Sequence, residues 1–263
     1  MSSNDFVAQW ERWHRDHEKR RARPLGFLAI TGLHWLNGDP QRFDDVPGEW
    51  LSDGTGVNVA LRDDEDLLVN DTHVRGVYRF GDIDEHGDRA SFGDAIVEIA
   101  QRDQQFMIRP RHPDNVVRTR YTGTPTYAPS EDWIARGTFL PNDTPRSITV
   151  GASVEGLENV YESPGDVEFE LAGERHRLVA FNDEGPDELF IVFTDLTAGT
   201  ETYTACRFLT ARVANDESVV LDFNRATNPP CAYTDFATCP LPPASNHLSI
   251  HVRAGEKSPV SSP

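Results

Sequence analysis

Four polar side chains fall within seven residues near the C-terminus: Asp222, Asn224, Arg225 and Asn228, directly after an apolar run at 219–221. A carboxylate beside a guanidinium can do two kinds of work. Arg225 can offer its planar fork to a carboxylate or phosphate of a ligand, or the same fork can close on Asp222 and pin a turn. On a strand, Asp222 and Asn224 would share one face, because side chains two apart point the same way. Pro229, Pro230, Pro240, Pro242 and Pro243 follow. They fix φ and remove backbone donors, so the segment can hold one irregular path and aim polar groups at small entropic cost.

The same segment carries Cys231 and Cys239, with His247 and His251 beyond. Together these count to four zinc donors, but the two cysteines lack the tight spacing of a zinc knuckle. The expectation is two free thiols lining the loop, with no metal and no cofactor. Cys206 lies in an alternating run and is expected as a small buried hydrophobe. His14, His17 and Glu18 stand in an order that matches neither metalloprotease arrangement. The run 151–155, Gly-Ala-Ser-Val-Glu, misses the nucleophile elbow at its last residue, and no phosphate-cradling glycine loop is present. Arg109, Arg111, His112, Arg118 and Arg120 form a locally basic patch. They either focus an anion or neutralise neighbouring carboxylates.

These groups need elements to hold them. Residues 4–23 are predicted to form an amphipathic helix, with Phe6, Trp10, Trp13 and His17 on one face and Pro24 ending it. Beyond it the chain turns to short alternating or β-branched runs: 57–61, 74–80, 95–100, 106–109, 147–152, 167–171, 176–181, 189–194, 202–209, 219–223 and 248–252. No strand is followed by a convincing helix, so a parallel doubly wound sheet is not expected. The predicted fold is all-β, a mainly antiparallel barrel or sandwich with an N-terminal amphipathic helix. The expected organisation is a helix at 1–24 packed on the body, one β-rich domain at 25–257 with a possible seam near 110–141, and a disordered tail at 258–263.

The signature from Asp222 to Cys231, Asp-Phe-Asn-Arg-Ala-Thr-Asn-Pro-Pro-Cys, followed by Cys-Pro-Leu-Pro-Pro from Cys239 to Pro243, resembles the prokaryotic domain-of-unknown-function family 1684. Ala254-Gly-Glu-Lys257 is similar to that family's ending. Gly26 to Leu36, Arg109 to Gly123, Glu162 to Gly165 and Thr202-Tyr203 fit as well. Thr227 replaces an aromatic residue of the signature, and His112 stands where an acid is expected. The resemblance implies a shared polar loop at Asp222 to Asn246, but no substrate, cofactor or catalytic residue to carry over.

The 43 acidic residues outweigh 25 basic ones for a net charge of -18, and Lys19 and Lys257 are the only lysines. Such a surface suits a cytoplasm of molar salt, where a Debye length of about 3 Å screens its self-repulsion. Nucleic acid is disfavoured as a partner, because counterion release needs a basic face. No apolar run reaches a membrane span and residues 1–23 are charged, so a soluble cytoplasmic protein without a membrane partner is expected. The leading expectation is a scaffold that binds a small anionic organic molecule. Arg225, Asn224, Asn228 and Arg109 would supply polar contacts, and Trp133 or Trp35 an apolar wall. An enzyme acting on such a molecule with Asp222 as acid or base, and a structural or interaction module, are the alternatives. Circular dichroism should show loss of structure on dialysis from molar to tens-of-millimolar KCl; full cooperative stability in low salt would contradict the salt-adapted reading.

Overall fold

Alternation of apolar and polar residues draws most of the chain into strands, and the computed structural model describes residues 3–83, 87–183, 185 and 187–259. From residue 260 onward the expected tail lies outside them. One unit comprises Met1–Lys19, Thr122–Tyr233 and Thr238–Pro263; the other comprises Arg20–Tyr121 and Thr234–Ala237. The passage at Tyr121 and Thr122 falls inside the Pro- and Arg-rich stretch 110–141. The all-β, antiparallel architecture expected from the strand runs is the one found.

The described residues of the Arg20–Tyr121 unit form the strands β1 (His34–Trp35), β2 (Gln41–Phe43), β3 (Val46–Ser52), β4 (Val57–Ala60), β5 (Leu67–Val69), β6 (Thr72–Val74), β7 (Val77–Phe80), β8 (Asp88–Phe92), β9 (Ala95–Arg102) and β10 (Gln105–Arg111). They form a six-stranded sheet in the order β1-β10-β9-β8-β5-β6 and a four-stranded sheet in the order β2-β3-β4-β7. Trp50, Val57, Val59 and Phe80 of the smaller sheet share one core with Leu67, Val97, Ile99 and Ile108 of the larger. Two sheets that bury one face each in this way make a sandwich.

The other unit opens with α1 (Ser3–Arg21), whose last two residues are counted with the sandwich. Its strands are β11 (Ile134–Gly151), β12 (Glu158–Leu171), β13 (Glu174–Asn182), β14 (Glu188–Asp195), β15 (Arg207–Val213), β16 (Ser218–Asp222) and β17 (His247–Leu248). The order β13-β12-β11-β16-β15-β14 returns to its start through a further β13 to β14 pairing, so six antiparallel strands close into a ring. On β14, Ile191 and Phe193 point into the ring's core, while Val192 between them joins a satellite cluster with Cys206. That is the period-two alternation of a barrel wall.

Two long strands were only half visible in the sequence. Pro141, Asn142 and Pro145 read as turn residues, yet they lie within β11, where the register to β12 shifts between Pro141 and Arg146. A bulge tolerates the missing donors of proline. Gly165 faces it, and a Cβ there would sit 2.3 Å from the Leu140 carbonyl oxygen, so only glycine permits the approach. Two expected strands are also shorter than predicted. Residues 202–206 fold back on Thr197, whose hydroxyl meets that of Thr202 at 2.8 Å. At 252–254 the backbone is taken up by side chains: Asp195 accepts from the Val252 N–H at 3.1 Å, and Arg207 donates to the carbonyls of Val252 and Ala254.

Arg207 and Asp195 pair at 2.6 Å with both side chains essentially inaccessible to solvent. Removing one member of such a pair strands the other in a low-dielectric core. Arg207→Met is expected to cost ~3–5 kcal/mol in chemical denaturation followed in molar KCl, and a loss below ~1 kcal/mol would contradict that account.

Candidate functional site

The polar signature begins where β16 ends, and Asp222 caps the short helical turn Phe223–Arg225. One Asp222 oxygen accepts from the Asn224 backbone N–H at 3.2 Å and from its amide nitrogen at 2.8 Å. Asn224, 1% exposed, also exchanges two 2.9 Å hydrogen bonds with the backbone of Ser130. Its own carbonyl accepts from the Trp10 indole N–H at 2.7 Å. Asn224 is therefore a joint between α1, the turn at Ser130 and the signature. Arg225 turns its Nε to the second Asp222 oxygen at 3.1 Å and lies 5.4 Å over the Trp13 ring. Its side chain is 42% exposed, and among the described residues its terminal nitrogens make no hydrogen bond.

Asn228 points elsewhere. Its backbone N–H donates to Glu256 at 2.6 Å and its amide to the Lys257 carbonyl at 2.7 Å, while its side-chain oxygen, buried, has no hydrogen-bond partner among the described residues. Trp133 packs at the edge of the barrel core. Arg109 belongs to the sandwich, directly across from Glu98 in the β9 to β10 register, and its fork engages that carboxylate at 2.8 and 3.2 Å. Burial pushes the Glu98 carboxyl up, but Arg109 and Arg111 outweigh it and hold it at about 2. The expected contacts thus fall into separate groups: Asp222, Asn224 and Arg225 together, Asn228 with Glu256, Trp133 at the core, and Arg109 in the other unit.

Glu256 is the centre of a second group. It is 1% exposed, lies 3.6 Å from His17 Nε2 on α1, and accepts from the Tyr233 hydroxyl at 3.4 Å. That hydroxyl meets the Thr124 hydroxyl at 2.7 Å. Thr124 in turn lines a cavity of about 520 Å3 walled by His14, Arg15, Glu18 and Lys19 of α1 and by residues 122–125. Arg15 and Lys19 pair loosely along the helix, with Glu11 at 3.8 Å and Asp16 at 3.7 Å, in exposed pairs that constrain them little.

The third group is the thiols. Cys239 is held by Ser153, which exchanges bonds with its backbone at 2.8 and 3.0 Å, and the Tyr203 hydroxyl donates to the Cys231 carbonyl at 2.9 Å. The Cys231 N–H reaches Cys239 Sγ at 3.3 Å. The neighbouring Cys239 thiol, acting against burial, draws Cys231 below the ordinary thiol value. The same pairing and burial push Cys239 up, and burial pushes up Cys206.

The family described as "Protein of unknown function (DUF1684)" matches residues 119–257. The chain belongs to this family. All three groups except α1 lie inside the matched span of DUF1684. An uncharacterised protein of Haloarcula marismortui, solved by solution NMR, is 32% identical over 53% of this chain and 78% of its own, with a TM-score of 0.45. No curated protein matches. Thr227, where DUF1684 is expected to carry an aromatic, bridges Phe208 through backbone bonds of 2.8 and 2.9 Å that leave its side chain unused.

Sequence reasoning missed Glu256, His17, Tyr233, Thr124, Arg15 and Lys19 as site residues. The available signal is the rarity of lysine, which singles out Lys19, and the Ala254–Lys257 ending, which holds Glu256. Asn224→Ala should destabilise the barrel unit by ~2–3 kcal/mol in chemical denaturation, because the Ser130 backbone groups lose their partners. An unchanged transition would show that the joint carries no strain of folding.

Proposed function

We propose that this protein binds a small anionic organic molecule in the cavity on the flank of α1, beside the Pro- and Cys-rich segment. The observation that carries the reading is the lining itself: in a chain of net charge -18 with lysine at positions 19 and 257 alone, Lys19 and Arg15 stand together at one cavity. Its volume of about 520 Å3 lies within the ~300–1,000 Å3 of small-molecule sites. Thr122 and Thr124 add hydroxyls to the lining. The ligand this lining fits carries an anionic group for Arg15 and Lys19 and a hydroxyl or amine for the threonine side, as a small hydroxy or amino acid does. The acidic, lysine-poor surface supports a high-salt cytoplasm as its setting.

A second reading, an enzyme acting on such a molecule, is favoured by one arrangement. Glu256 lies buried between His17 and Tyr233, and the Tyr233 hydroxyl leads through Thr124 to the cavity. Asp222 supports catalysis less, since Asn224 and Arg225 occupy its oxygens.

Titration calorimetry in molar KCl with a panel of small hydroxy and amino acids, and their neutral amides as controls, tests the binding. An acid is expected to bind at least ten-fold, or about 1.4 kcal/mol, more tightly than its amide. Arg15→Gln with Lys19→Gln should remove that preference without moving the melting temperature. Failure of every panel member, or equal binding of acid and amide, would sink the proposal.

A further inference from the structure

The chain's three cysteines come together on the barrel unit, and nothing in the proposed ligand site uses them. Cys231 follows Pro229 and Pro230 and is tied through its carbonyl to Tyr203. Cys239 sits in a short antiparallel contact with residues 151–153: the Ala152 to Pro240 bridge and the Leu241 N–H donating to the Gly151 carbonyl at 2.8 Å fix it from the other side. Both ends of the intervening loop are thereby held. The two cysteines adjoin, with Cys239 Sγ accepting from the Cys231 N–H at 3.3 Å. Exposure is graded as well: Cys231 is half-buried, Cys239 is 6% exposed and Cys206 is 1% exposed.

We infer that Cys231 and Cys239 form a peroxide-reactive pair, in which Cys231 is the attacking sulfur and Cys239 the resolving thiol. The donors around Cys231 favour its thiolate near neutrality, while the buried Cys239 keeps its proton. In the first step the Cys231 thiolate attacks one oxygen of hydrogen peroxide or a small organic hydroperoxide. The S–O bond forms, the O–O bond breaks, and the leaving hydroxide or alkoxide takes a proton from water; Cys231 becomes a sulfenic acid and the peroxide is reduced. In the second step the Cys239 sulfur attacks Cys231. The S–S bond forms, the S–O bond breaks, and the departing hydroxide leaves as water with the Cys239 proton. Two thiols and one peroxide give a disulfide, one water and one further water or alcohol. Cys206, raised by burial and next to the same cluster, stays a thiol and serves as an internal control.

The test treats the full chain in molar KCl with one equivalent of hydrogen peroxide, then counts thiols after denaturation and maps peptides by mass. The expected result is a fall from three thiols to one, with Cys231 linked to Cys239 and Cys206 free. With Cys239→Ser, a dimedone adduct should appear on Cys231 alone. The wild-type chain gives an independent reading if that variant does not fold: iodoacetamide should label Cys231 with a pH midpoint below that of an ordinary thiol. Three intact thiols after excess peroxide, a bridge that includes Cys206, or a Cys231 midpoint at the ordinary thiol value of about 8.5 would each overturn the inference.

Discussion

The barrel unit depends on one buried ion pair. Asp195 closes β14 and Arg207 opens β15, and between them they satisfy the backbone of residues 252–254, which has no strand to pair with. A backbone strip without a ladder would leave its polar groups stranded in a core. The guanidinium and carboxylate serve as its ladder instead. Two residues later the strip is taken up by other backbone, with the Glu256 N–H on the Ala226 carbonyl at 2.9 Å and a bridge to Thr126, and there Asn228, Tyr233 and His17 meet the Glu256 carboxylate.

The signature residues divide the labour in an informative way. Asn224 commits both amide N–H groups and its side-chain oxygen to Ser130 and Asp222, and its backbone carbonyl to Trp10, so it fastens rather than recognises. Arg225 is freer, resting on Trp13 with its side chain 42% exposed. Fully connected polar networks of this sort specify one arrangement, because each alternative leaves a buried group unsatisfied. A polar, proline-stiffened motif can therefore be a clamp at one residue and an open surface at the next.

Much of the fold was legible. The spacing of Phe6, Trp10, Trp13 and His17 marked α1, and alternation marked the inner strands, because burial on one face leaves a period that survives in the sequence. The proline-bearing half of β11 was hidden, since a bulge uses the residues that elsewhere make turns. The Arg109 to Glu98 pair was hidden for another reason: it follows only from the register of the β9 to β10 hairpin, which closes with Gln105 opposite Arg102. The site at Glu256 joins residues from α1, from 122–125, from Tyr233 and from the C-terminal strip. No local pattern connects them, so the sequence showed the parts without their meeting. What remained readable was composition: scarce lysines and cysteines stand out against their background, and both mark places the structure brings together.

The ring of strands imposes an order in time. β11 lies between β12, its sequence neighbour, and β16, so Ala135 pairs with Leu221 across more than eighty residues of chain. Closing so long a loop must precede any reward from the contacts it brings, which makes the β11 to β16 seam a slow step in folding. During synthesis β11 to β13 can form their meander early, yet one edge of β11 waits unpaired until β16 has emerged. That edge is the stretch through which a nascent chain of this kind would associate with another copy.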